Sequence, residues 1–168
     1  LNHPASPTEL SAMLSAEQHL QIADELIAAD ASKELLPILT GRYPGMVVDD
    51  SYAVQRAWTE RKLAEGRRVV GRKIGLTSKV MQVATGITEP DYGVILDDMV
   101  IESGSVIDFD RFSNVRIEVE LAFVLAKPLT GPHTTIFDVL DATAYVVPAL
   151  EILNSHLVME GRTIVDTI

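Results

Sequence analysis

Two glutamates, Glu118 and Glu120, stand two residues apart inside the apolar run RIEVELAFVL, Arg116 to Leu125. The run reads as a β-strand, in which successive side chains point to opposite faces, so the two acids share one face. Ile117, Val119, Leu121, Phe123 and Leu125 occupy the other face and are expected to be core. A third glutamate, Glu151, interrupts a second apolar run, YVVPALEIL, Tyr145 to Leu153, which reads as a strand able to lie beside the first. At an effective dielectric near 20, two unit charges ~4 Å apart repel by roughly 4 kcal/mol. Against a folding stability of ~5–15 kcal/mol, that repulsion calls for solvent, a basic partner such as Arg116, a shared proton or a metal ion. The Glu118–Glu120 pair alone favours a solvated or arginine-paired face; Glu151 moves the balance towards a cation. Three carboxylates suit a hard divalent ion such as Mg²⁺ or Mn²⁺ better than zinc or copper. The histidines, His3, His19, His133 and His156, are scattered and form no H-x-x-x-H pair.

The elements that must position these acids are legible in outline. The chain has 168 residues, 47% of them hydrophobic, and a net charge of -10. Those values suggest one folded domain and argue against non-specific nucleic-acid binding, which needs a basic surface. The sequence has no cysteine, so disulfides, zinc–thiolate sites and cysteine nucleophiles are excluded, in keeping with a reducing cytoplasm. No run approaches the ~18 apolar residues of a membrane helix. SPTE (Ser6 to Glu9) and SAEQ (Ser15 to Gln18) are capping-box patterns. Asp49 or Asp50 is expected to cap a third helix running to about Glu65, with Val54, Ala57 and Trp58 inward and Gly66 as its stop. VVGRKIGL (Val69 to Leu76) reads as a strand whose Gly71 and Gly75 mark a close approach of backbone or ligand. Thr77 or Ser78 can cap a short helix ending near Gly86, and EPDYG (Glu89 to Gly93) reads as a turn. GVILDDMVI and SVIDF read as a strand pair, KPLTGPHTT as a loop and IFDVLDA as a short helix. The plan is α+β: a helical region over 1–66, then a β-rich region over 67–168 with a mixed, mainly antiparallel sheet, together one domain. So few strands make a thin sheet, and a partner chain or further residues are expected to cover the RIEVELAFVL strand.

In order and spacing, SYAVQRAW, GRKIGLTSK, EPDYG, RIEVELAFVL and PALEIL resemble the 2-hydroxydienoate hydratase and 4-oxalocrotonate decarboxylase family of the fumarylacetoacetate hydrolase superfamily. The resemblance covers roughly Tyr43 to Ile168. It implies a fumarylacetoacetate-hydrolase-type sheet lacking its C-terminal strands, because family members continue past the Asp166-Thr167-Ile168 seen here. It also implies a cytoplasmic homo-oligomeric lyase of aromatic-compound catabolism. The reaction would add water to a 2-hydroxy-2,4-dienoate or 2-oxo-enoate, with 2-oxohept-3-ene-1,7-dioate as the implied substrate, giving a 4-hydroxy-2-oxo acid. Glu118, Glu120 and Glu151 would hold Mg²⁺ or Mn²⁺. Lys73 and Asp91 would be catalytic, and Lys73, Gly75 and Leu76 would bind substrate. Taken as residues alone, Lys73 reads more readily as an exposed strand lysine, and Asp91 could equally be a turn former beside Pro90. Alternatives under the same resemblance are a 4-oxalocrotonate-type decarboxylase, an acylpyruvate C–C hydrolase, or a truncated non-catalytic domain.

Overall fold

The computed structural model describes residues 13–168, except the side chains of residues 84 and 85, so the expected capping box at Ser6 to Glu9 lies outside the described residues. The chain divides into two compact units, one running up to Ser113 and resuming with Ser155–Ile168, the other Asn114–Asn154.

In the first unit, helix α1 (Ala16–Ser32) begins at the expected capping box. Ser15 Oγ accepts from the Gln18 amide at 3.2 Å, and Gln18 Oε1 accepts from the Ser15 amide at 2.9 Å. Helix α3 (Val48–Ala64) packs on α1, burying Ile22 and Ala23 against Val54 and Ala57, with Leu39 from the single-turn helix α2 (Leu39–Arg42), Met46 and Leu157 in the same cluster. Burying each larger aliphatic of this kind contributes about 1.5–3 kcal/mol. Trp58 packs against the rim of the cluster, and Gly66 takes the left-handed φ of +92° just past the end of α3.

The cap of α3 differs from expectation: Val47 is at the cap position, and Asp50 lies inside the first turn. Asp50 reaches back to accept from the Val47 amide at 3.0 Å, and its other oxygen accepts from the Leu14 amide at 2.8 Å and meets His19 Nε2 at 2.8 Å. Asp50 is therefore a buried clasp between the segment before α1, α1 itself and α3. A second buried carboxylate, Asp166, accepts from the amides and hydroxyls of both Thr40 and Thr163 and ties the C-terminal segment to α2.

Strand β1 (Val69–Gly75) pairs antiparallel with β2 (Asp91–Leu96), Gly75 opposite Asp91 and Lys73 opposite Gly93. Helix α4 (Lys79–Thr85) lies between them in sequence, with Ser78 at its cap and Gly86 as its left-handed stop. Two expectations are corrected here. EPDYG is not a turn throughout: Asp91, Tyr92 and Gly93 already belong to β2, because the ladder to β1 satisfies their backbone groups. Nor do GVILDDMVI and SVIDF pair. Asp97 accepts from the Arg68 amide at 3.1 Å while its own amide donates to Arg68 O at 2.9 Å, so the chain turns away after Leu96, and Val106 is left 99% exposed.

In the second unit, β3 (Val115–Leu125) and β4 (Thr143–Asn154) form an antiparallel pair along their whole length, joined through helix α5 (Ile136–Ala142), which Thr135 and Asp138 cap reciprocally. The architecture is thus helices followed by antiparallel strands, α+β. The odd-numbered face of β3, expected to be core, is exposed: Val119 is 82% and Leu121 66% accessible. Within this unit a two-stranded sheet has no second layer to cover that face, and such a pair is marginal by itself. No helix among the described residues is long and apolar enough to cross a membrane.

Burial alone would raise the Asp50 carboxyl, but the hydrogen bonds from Val47, His19 and Leu14 outweigh it and hold the group below its ordinary value of 3.8. A lowered folded-state value means that the stability Asp50 contributes is present above the unfolded value and is lost as pH falls through the folded one. Chemical denaturation followed from pH 6 down to about pH 3 should therefore show falling stability in the wild type and a shallower fall in Asp50→Asn. At neutral pH, Asp50→Ala should destabilise by about 2–3 kcal/mol, since it orphans donors that now bond a charged group.

Candidate functional site

Antiparallel register places Glu118 directly opposite Glu151 on β4, and Glu120, two residues along β3, falls on the same face opposite Ala149. One carboxylate oxygen from each of the three lies within 4.8 Å of the others. Glu118 is exposed, while Glu120 and Glu151 are half-buried. Arg116 lies opposite Leu153, and no ion pair joins it to Glu118 among the described residues. Like charges directly opposite on a ladder destabilise it. An all-oxygen, all-anionic donor set gathered this closely fits a hard divalent cation, with open positions left for water or ligand oxygens. The three predicted ligands are therefore brought together by two elements of one unit.

Lys73, Asp91, Gly75 and Leu76 belong to the other unit, around β1 and β2. Asp91 is only 5% exposed, and among the described residues its Oδ1 has no hydrogen-bond partner. Lys73, Asp91, Gln55 and Tyr92 help to line a cleft of about 170 Å³. Gly75 lies against the Asp91 carboxylate. Leu76 holds the left-handed φ of +55°, unusual for a branched residue, and Gln82 fixes it by donating to Leu76 O at 2.7 Å while Lys79 donates to Gln82 Oε1 at 3.0 Å. Strain of this type costs about 1–3 kcal/mol and is held where surrounding contacts enforce it.

Two supporting residues on α3 are not evident from the sequence. Gln55 Nε2 donates to Tyr92 O at 3.0 Å, and the Tyr52 ring stacks on Tyr92 with centroids 4.3 Å apart. Both lie in SYAVQRAW, but helical periodicity marks only its apolar positions, so nothing in the pattern singled out the glutamine.

No family model matches the chain. Over 144 residues it is 52% identical to 2-oxo-hept-4-ene-1,7-dioate hydratase of Escherichia coli, a match covering 86% of this chain and 54% of that protein. It is 39% identical over 149 residues to 2-hydroxypent-2,4-dienoate hydratase of Pseudomonas putida, covering 88% of this chain and 67% of the relative. The chain belongs to the 2-hydroxydienoate hydratase family. It thus spans between half and two thirds of the length of these two family members. Among solved structures it resembles 4-oxalocrotonate decarboxylase from Pseudomonas putida G7, complexed with magnesium and adipate, with a TM-score of 0.86 and 31% identity over 92% of this chain and 59% of that one. The fold is accordingly of the fumarylacetoacetate hydrolase type.

The crowding of acids on this family member makes a thermodynamic prediction. In chelator, Glu118→Gln should raise the melting temperature slightly, by removing a repulsion of about 0.2–1 kcal/mol. In millimolar Mg²⁺ the wild type should gain stability and the variant much less. A Gln triple variant at positions 118, 120 and 151 that still responds to Mg²⁺ in thermal melts would put the ion elsewhere.

Proposed function

We propose that the chain serves a hydratase that adds water to a 2-hydroxy-2,4-dienoate or its 2-oxo-enoate form, giving a 4-hydroxy-2-oxo acid in aromatic-compound catabolism. The convergence of Glu118, Glu120 and Glu151 supports the metal-dependent part of this reading, and the 52% identity to a named hydratase carries the choice of hydration. The 52% identity to a hydratase named for a seven-carbon dioate supports 2-oxohept-3-ene-1,7-dioate or its 4-ene isomer as the substrate. Glu118, Glu120 and Glu151 would hold Mg²⁺ or Mn²⁺. Such an ion, when bound, supplies Lewis acidity and a template for the vicinal oxygens of a 2-oxo acid. Hydration needs a proton delivered to the far carbon of the dienol as the 2-hydroxyl loses one, then addition of water across the remaining double bond. Lys73 would contribute positive charge near the oxygen that loses its proton, and Leu76, just past the end of β1, would form part of the substrate wall. Asp91 is placed in our scheme as the group that accepts a proton from the attacking water and returns it to carbon. The buried Oδ1, which has no hydrogen-bond partner among the described residues, supports that role, since it retains the capacity to accept a hydrogen bond. We further place the enzyme in the cytoplasm as a homo-oligomer. The cysteine-free sequence and the exposed apolar face of β3 support this.

The likeness to a 4-oxalocrotonate decarboxylase gives a second reading, loss of carbon dioxide from a 2-oxo dioate. Ultraviolet loss of the dienol chromophore, with carbon dioxide measured in the same vessel, separates the two. The hydratase reading expects loss of absorbance without gas, and stoichiometric carbon dioxide would replace it with the decarboxylase. Lys73→Met should reduce turnover by about 10²–10⁴-fold while leaving Mg²⁺-dependent stabilisation intact.

A further inference from the structure

The ladder between β1 and β2 has an arrangement that neither the acids nor the lysine reveals alone. Lys73 and Gly75 share one face of β1, and their partners Gly93 and Asp91 share the matching face of β2. Each chemically active side chain is therefore opposite a glycine. A Cβ built on Gly75 would overlap Asp91 Oδ1 and lie 3.1 Å from its Cγ. A Cβ on Gly93 would lie 3.3 Å from Lys73 Cγ and 3.7 Å from its Cδ. The contrast on the same strand is Gly71, whose added Cβ would meet Ile95 at an ordinary 3.6 Å. None of the three glycines has a left-handed φ, so backbone freedom is not what they supply.

We propose that Gly75 and Gly93 are positioning residues, each leaving empty the Cβ place over which the opposite strand's functional side chain lies, Asp91 over Gly75 and Lys73 over Gly93. The carboxylate and the ammonium stem are thereby laid along the ladder on one face, diagonal to each other, instead of standing away from it. Gln55 and Tyr52 complete the device by holding Tyr92, between Asp91 and Gly93, to α3. In its kinetic part this assignment rests on the hydratase reading. Its steric part does not.

A double-mutant cycle read in two ways tests it. In thermal melts, Gly75→Ala should lower the melting temperature in the wild type and equally in Asp91→Asn, which keeps the shape of the side chain. The same change should do almost nothing in Asp91→Ala, where the clashing group is gone. Gly93→Ala should likewise be tolerated less well in the wild type than in Lys73→Ala, which decides the matter if Asp91→Ala fails to fold. Gly71→Ala should be near neutral. For turnover, measured well below every melting point, Gly75→Ala should slow the enzyme by on the order of a hundredfold. Gly75→Ala combined with Asp91→Asn should be no slower than Asp91→Asn alone, because the glycine acts through the carboxylate. Equal destabilisation by Gly75→Ala with and without the Asp91 side chain, or rate losses that multiply, would overturn the assignment. A wild type that melts as expected but shows no hydration would sink the functional reading and leave the steric coupling standing.

Discussion

Antiparallel pairing of β3 with β4 sets Glu118 against Glu151, and the rest of the acidic site follows from that one register. Because strand side chains alternate with a period of two, a slip of a single residue would carry Glu118 and Glu120 onto the face of Val119 and Leu121. Alternation therefore keeps the carboxylates on one face and Ile117, Val119 and Leu121 on the other. The repulsion on the acidic face is moderated by the exposure of Glu118 to solvent. The irregularity in pairing at Val124 and Leu125 comes after the acids, so it leaves their alignment intact.

The β1–β2 ladder solves a different problem. Asp91 is nearly inaccessible, yet one of its oxygens has no donor among the described residues. A buried acceptor of this sort is unfavourable by about 1–3 kcal/mol unless something satisfies it. The surroundings are built to hold it regardless: the α3 side chains fasten the start of β2, and Gln82 fastens the left-handed Leu76 just beyond the end of β1. Stability is contributed elsewhere in the same unit, by the α1–α3 cluster and by the Asp50 and Asp166 clasps.

The acidic triad was legible because each glutamate interrupts an apolar run, and a period-two pattern states which interruptions share a face. Ser15 and Gln18 were legible because a capping box is a local event four residues long. EPDYG was misread because Pro90 and Gly93 carry strong turn preferences, while the strand that claims Asp91 to Gly93 lies some twenty residues upstream, and tertiary pairing overrides local preference. The face of Ile117 to Leu125 was read as core because apolar alternation reports a tendency to be covered, not which segment does the covering. Gly75 was read as marking a close approach of backbone or ligand; a side chain, the carboxylate of Asp91, also comes close there. Sequence spacing says that a glycine makes room, and only the register says for what.

The glycine opposite Asp91 also constrains the order in which such a sequence can drift. While the aspartate is present, any side chain at position 75 meets its carboxylate, so that position is frozen. Once the aspartate is lost, the glycine has nothing left to accommodate and is free to become alanine or serine. Restoring the aspartate would then require reversing the second change first. Loss of the Asp91–Gly75 pairing is therefore a ratchet: the two positions can leave it one at a time, in one order, but cannot return by a single step.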